Sequence, residues 1–474
     1  MPAETVPDTD IQYHLIAFDA RGCERAEADG AYSPAVLKLA AARQPTDVFV
    51  FSHGWNADVP GARKQYSRWI ATMESCTQDR AALAARPGGY RPLLVGLHWP
   101  SKAWSDEELL DQPGGSYAVS VDAERSGIEG EESSDGTEWY VDHYATLLAD
   151  TPPTRKALRT ILRSALMDAA PEILPEPVRQ AYAVIDAETG AGSDGAGAAP
   201  GEDRKPFDAE ATYQACRLEE EVAAFGGPSL GGLLAPLRTL TFWQMKRRAR
   251  AFGENGAATL LSDLRRAAPD ARFHLMGHSF GCIVVCAAVG RAAEDQAARP
   301  VDTLVLVQGA MSLWSLCSSI PSRPGRPGYF HRILADRLVS GPVLATTSVH
   351  DRAVRVFYPL GAGAADQVDF EAGELPTYGG IGTFGLRGPG IGLTDGDLGP
   401  ADTLYDFQPH GVYDLDANDV IKSGGGFSGA HSDICHPPVA HAIWQAVATG
   451  GHSDCPRSCV YWPDQYNNPN NAAG

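Results

Sequence analysis

The chain has 474 residues, with 39 Lys and Arg against 59 Asp and Glu, a formal net charge of −20. That balance opposes broad binding to a nucleic-acid backbone, which needs clustered basic side chains, and docking on anionic lipid. Apolar residues make up 44% of the chain, enough for a large buried core.

The N-terminal stretch MPAETVPDTD has no basic residue before Arg21, and no apolar run follows it, so no secretory leader is expected. Nine cysteines, an odd number, read as reduced thiols, and with no leader the expected location is cytoplasmic. Apolar runs at 13–18, 48–52, 93–98, 272–276, 303–307 and 343–349 read as buried strands. Helical spacing separates most of them. Tyr66, Trp69, Ile70 and Met73 share one helix face, and Leu260, Leu261 and Leu264 share another. Strand alternating with helix predicts an α/β fold, a mostly parallel central sheet with helices on both faces.

Two stretches break the alternation. Residues 101–238 form a large insertion after the strand at 93–98. It opens acidic, with thirteen Asp and Glu against Arg125 alone between 105 and 150. It turns helical around Leu158, Ile161, Leu162, Ala165 and Leu166, and its 188–203 segment reads as a flexible Gly-rich linker. Its place in the chain suits a cap over a site or a peripheral surface insertion. Residues 356–425 read as a Gly-rich irregular insertion, and 450–474 as a flexible tail. The expected core is therefore discontinuous, 11–100 with 239–449. The basic cluster Lys246, Arg247, Arg248 and Arg250 reads as a solvated helix face. The run 280–290 is too short to span a bilayer, so no transmembrane segment is expected.

The chemistry centres on Gly277-His278-Ser279-Phe280-Gly281, a G-x-S-x-G between an apolar strand and a small-residue helical run. That context puts Ser279 on a sharp strand-to-helix turn with the helix N-terminus beneath it. Flanking glycines avoid collision across the turn. A serine of this kind needs a base and an oxyanion site. At the end of the strand at 48–52 stands His53-Gly54-Trp55-Asn56.

With these two motifs in order, most of 11–449 outside the insertions resembles the α/β-hydrolase superfamily. The resemblance implies an α/β-hydrolase fold and a serine esterase- or lipase-like activity on a small-molecule carboxylic ester. It implies an oxyanion hole from the backbone N–H groups of Trp55 and Phe280. His53 and Gly54 would shape the oxyanion loop, while Gly277, His278 and Gly281 would support the elbow. Superfamily order places the acid two strands beyond the nucleophile strand, where His350-Asp351-Arg352 follows the run at 343–349. It places the base ahead of the last helix, where His431 stands, with His436 and His452 as alternatives. The implied triad is Ser279, Asp351 and His431. Acyl transfer to another acceptor, thioester or amide cleavage, and a non-catalytic binding protein on the same fold remain open.

Weaker signals carry no cofactor or metal. Gly380-Ile381-Gly382-Thr383-Phe384-Gly385 matches G-x-G-x-x-G without the strand and helix that dinucleotide binding needs. His452, Cys455 and Cys459, with Cys435 and His436 upstream, lack the paired Cys-x2-Cys spacing of a zinc site. Cys282 and Cys286 share a helix face as buried small hydrophobes. Trp99, Pro100 and Trp104 either line an acyl pocket or pack under the insertion.

Overall fold

Strand β3 (Asp47–Ser52, DVFVFS) is buried on both faces, and its continuous apolar run fits a central parallel strand. The computed structural model describes residues 3–26, 30–102, 134–223, 232–294, 299–361, 375–425 and 428–449. Around β3 run β1 (Glu4–Thr5), β2 (Gln12–Ala17), β4 (Pro92–His98), β5 (Arg272–His278), β6 (Thr303–Val307), β7 (Val343–Thr347), β8 (Leu393–Asp397) and β9 (Val412–Asp416). They form one sheet in the order β1-β2-β4-β3-β5-β6-β7-β9-β8. Only the β1–β2 pair is antiparallel. The molecule is an α/β protein.

Side-chain alternation divides the sheet into two packed faces. Tyr13, Leu15, Phe49, Phe51, Leu94, Met276, Val305 and Leu344 meet the helices Val59–Ser75 and Pro437–Thr449 on one side. Ile16, Val48, Val50, Val95, Leu275 and Leu304 meet Ser33–Arg43, Ala258–Ala267 and Gly281–Ala292 on the other. The amphipathic residues expected at 62–75 all face inward: Tyr66, Trp69, Ile70 and Met73 are buried, and the Asp58 side chain caps the helix through Gly61 N–H.

Running right to β5, β6 and β7 and left to β4 and β2, the chain changes direction between β3 and β5. In open sheets of this kind ligands bind beyond the carboxyl ends of the strands at such a switch point. The amino ends of the same strands are closed by charge. Asp47, fully buried, accepts hydrogen bonds from Arg86 (3.1 Å) and Arg272 (3.0 Å) and lies 3.2 Å from His274 Nε2. Burial alone would raise its pKa, but His274, Arg86 and Arg272 together hold it far below the ordinary carboxylate range.

Several sequence expectations are corrected by packing. The boundary placed at 238/239 falls inside the helix Ala235–Phe252. The insertion's helices Pro152–Met167 and Glu176–Thr189 share the core of the sheet, with Leu158, Ile161, Tyr182 and Ile185 in the same apolar cluster as Leu275. The segment 188–203 is not a loose linker. Arg204 is 2% exposed and binds Asp186 and the Ala191 and Gly192 carbonyls. Gly201, at φ +99°, lies so close to the Arg247 backbone that a Cβ would come within 3.0 Å of it.

Nor are Lys246 and its neighbours a solvated face. Lys246 is fully buried, with Nζ 2.6 Å from Asp203 Oδ2 and 2.6 Å from the Tyr358 hydroxyl. Burial lowers its pKa to about 8 against the pull of Asp203. Arg248 reaches the Pro100 carbonyl, and Arg250 pairs with Glu202. The stretch 356–425 contributes β8 and β9, which extend the sheet beyond β7. Most of the acidic run, Trp104, and the tail with His452, Cys455 and Cys459 lie outside the described residues. Among the described residues, no helix is long and apolar enough to cross a membrane.

Candidate active site

Strand β5 ends at His278 and the helix Gly281–Ala292 starts three residues later, so Ser279 must turn the chain sharply. It does so at φ +57°, a left-handed conformation unfavourable for a side-chain-bearing residue. Backbone bonds hold it there. Ser279 N–H donates to the Val307 carbonyl, and the Ser279 carbonyl accepts from Cys282 and Ala310 N–H. The turn is tight enough to exclude a Cβ at either flanking glycine. One on Gly277 would lie 2.5 Å from Cys282 N, and one on Gly281 would lie 2.1 Å from the Ser52 carbonyl oxygen. Cys282 and Cys286 are both buried in the helix that follows.

The loop after β3 reaches the same point. A Cβ on Gly54 would sit 2.5 Å from Ser279 Cβ, so only glycine lets the two strand ends meet at the switch point. His53 is fully buried and shapes this loop. Its Nδ1 lies 2.8 Å from the Gly54 carbonyl, its backbone N–H donates to the Tyr66 hydroxyl, and its ring stacks on Trp99. Trp99 donates its indole N–H to the His53 carbonyl and is itself fully buried, so it packs beneath the loop. Trp55 stacks on Phe280 at 5.8 Å between ring centroids, with Phe242 packed against both. The Phe280 N–H, at the head of the helix, has no hydrogen-bond partner among the described residues.

From the far side of the sheet, two loops bring in Asp351 and His431. Asp351 follows β7, is fully buried, and accepts from Val354 N–H through Oδ1 (3.0 Å). Its Oδ2 lies 2.8 Å from His431 Nδ1. The carboxylate can only accept there, so Nδ1 carries the proton. Gln308, in the orientation that satisfies both amide atoms, donates to Asp351 Oδ2 (2.9 Å) and to the Gly382 carbonyl (2.8 Å). Nothing in the sequence pointed to Gln308. Its signal is positional, since it directly follows β6 beside the acid-bearing β7. His431 is 12% exposed at the side chain, and its carbonyl accepts from His278 Nε2 at 2.8 Å. His436 pairs with Asp433 and makes no contact with Asp351.

The Gly380-x-Gly-x-x-Gly run packs behind the acid. A Cβ on Gly382 would lie 2.8 Å from the Gln308 backbone, and one on Gly380 would lie 2.4 Å from Val354 Cγ1. Its glycines serve close packing. Among the described residues, no group of three His, Cys, Asp or Glu side chains could hold a metal ion.

Three buried histidines surround the serine and its loop. Burial holds His53 and His278 down to about 3 and His98 to about 4. Neighbouring His98 and His278 reinforce this at His53, His431 does so at His278, and Arg25 does so at His98. An unfolded histidine takes up its proton near 6.5. The folded form is therefore fully favoured above that value and loses stability as pH falls from 6.5 toward 4, by up to about 1.4 kcal/mol per pH unit for each group. His441, raised by its bond to Asp79 against the opposing effect of burial, works the other way, its contribution being lost at high pH. Urea midpoints between pH 7.5 and 5 should fall accordingly. Both nitrogens of His98 lack a partner among the described residues, so His98→Leu should remove one proton from that slope at little cost in stability. An unchanged slope in that variant would contradict the assignment.

No protein-family model matches this chain, and neither does any curated protein or solved structure.

Proposed function

We propose that the chain is a serine hydrolase of α/β-hydrolase type that cleaves a carboxylic ester through an acyl-enzyme intermediate. The observation that carries the reading is the 2.8 Å contact between Asp351 Oδ2 and His431 Nδ1, in a loop tied to the strand end that bears a left-handed Ser279. The oxyanion loop follows β3 and the acid follows β7, two strands beyond the nucleophile strand β5, as the superfamily resemblance implies.

In this reading Ser279 Oγ attacks the ester carbonyl carbon while His431 Nε2 takes the hydroxyl proton. Asp351 keeps the imidazole in the tautomer with Nδ1–H and stabilises its charged form. The backbone N–H groups of Trp55 and Phe280 donate to the oxyanion, aided by the partial positive charge at the helix start. Collapse of the tetrahedral adduct breaks the C–O bond, and His431 returns the proton to the departing alkoxide. A water then attacks the acyl carbon by the same route and frees the carboxylic acid and Ser279.

A fluorophosphonate probe should label the wild-type chain and leave Ser279→Ala unlabelled, with circular dichroism unchanged. Wild-type turnover of short p-nitrophenyl esters should vanish in the same variant. Persistent labelling of a folded Ser279→Ala protein would sink the reading.

A further inference from the structure

His278 is held by bonds that specify its proton. Its Nε2 meets the His431 carbonyl at 2.8 Å, and a carbonyl can only accept, so Nε2 is protonated. Its Nδ1 lies 3.0 Å from Gln65 Nε2, which can only donate, so Nδ1 is bare. One neutral tautomer satisfies both contacts. Gln65 is half-buried on the helix Val59–Ser75, which packs on the sheet face opposite the insertion. The His278 ring lies 4.9 Å from that of His431, centroid to centroid. The ionisable groups bearing on the His278 ring are His431, on its own loop, and His53, on the loop after β3.

We propose that Gln65 and His278 are positioning residues that form a second arm on His431, opposite Asp351, with Gln65 selecting the uncharged His278 tautomer that grips the His431 backbone. This rests on His431 being the base for Ser279. The arm does two things. It fixes the loop whose side chain Asp351 orients, so the imidazole is held from its backbone and from its ring. It also keeps a positive charge away from His431, which must itself become charged as it takes the serine proton. An imidazolium at His278, about 5 Å away in a buried setting, would oppose that step. The burial that holds His278 down to about 3 serves the same end.

The test is electrostatic as well as structural. Imidazole nitrogen shifts of His278 and His431 are followed by NMR from pH 5 to 9 in the full chain. The rate of fluorophosphonate labelling is followed over the same range. Wild type, Gln65→Leu and Gln65→Glu are compared. In the wild type, His278 should stay neutral with its proton on Nε2 throughout. Gln65→Leu, which removes the donor, should slow labelling about 10- to 100-fold and leave the acid limb of the profile in place. Gln65→Glu offers an acceptor, draws a proton onto His278 Nδ1, and should move the His431 titration and the labelling limb down together by about one pH unit.

A wild-type His278 protonated on Nδ1 would overturn the proposal. So would a Gln65→Glu protein whose His431 titration does not move. Should that variant not fold, the wild-type tautomer decides alone. The NMR readings do not depend on chemistry at Ser279. Absence of wild-type labelling would therefore count against the hydrolase reading while the shifts still judged the arm.

Discussion

Replacing Asp351 by asparagine should lower kcat for a p-nitrophenyl ester by about four orders of magnitude with little change in KM. The physical reason is the tautomer. Asp351 Oδ2 accepts from His431 Nδ1 at 2.8 Å, which leaves Nε2 bare, as the proposed proton transfer from Ser279 requires. An asparagine can turn its NH2 toward Nδ1 and so favour the opposite tautomer, whose Nε2–H cannot act as a base. Val354 N–H, which donates to Oδ1, would reinforce that turn by keeping the amide oxygen on its side, whereas Gln308, which donates at the Oδ2 position, would have to turn its own amide to accommodate the NH2. Asp351 is fully buried and its Oδ1 also anchors Val354 N–H, so the isosteric change keeps the loop in shape. Fluorophosphonate labelling should slow in parallel. A folded Asp351→Asn protein within tenfold of wild type would remove Asp351 from the mechanism.

The largest loss of stability is expected at the other end of the sheet. Asp47→Asn should cost about 3–5 kcal/mol, read as a shift in urea midpoint at constant slope. Asp47 opens β3, with no exposed surface, between the guanidinium groups of Arg86 and Arg272 and the ring of His274. Removing its charge leaves the nearly buried Arg86 without its counter-ion, and an uncompensated buried charge costs more than the pair contributed. The carboxyl ends of β3 and β5 carry the Ser279 site while their amino ends carry Asp47, so activity per folded molecule should be unchanged. A loss below 1 kcal/mol would show that water reaches the cluster.

Local features are read most easily because their causes are local. The elbow at Gly277–Gly281 declares itself through a steric demand met within a few residues, the Cβ that Gly277 cannot carry against Gly281 and Cys282, whereas Gly281 and Gly54 are required by the approach of the remote β3 and β5 ends. The apolar runs of β3 and β5 reveal a parallel sheet because both their faces are covered. The pattern fails where a side chain's partner is remote. Lys246 reads as solvated until Asp203 and Tyr358 close around it. Gly201 reads as slack, whereas its missing side chain lets a loop touch the Arg247 backbone. Strands β8 and β9, short and rich in aspartate, carry too little apolar alternation to stand out, and the pairing of β9 with β7 and of β8 with β9 makes them strands.

The sequence by itself determined the alternating α/β plan and the sharp turn at Ser279, since periodicity and steric exclusion act between near neighbours. It nominated Asp351 and His431 only through order along the chain. Their 2.8 Å approach across 80 positions was decided by the tertiary structure, as were the Gln308 and Gln65–His278 contacts. The physical reason is that a hydrogen bond is specified within a few tenths of an ångström. Loops of unconstrained length specify nothing that fine until the sheet has placed their ends.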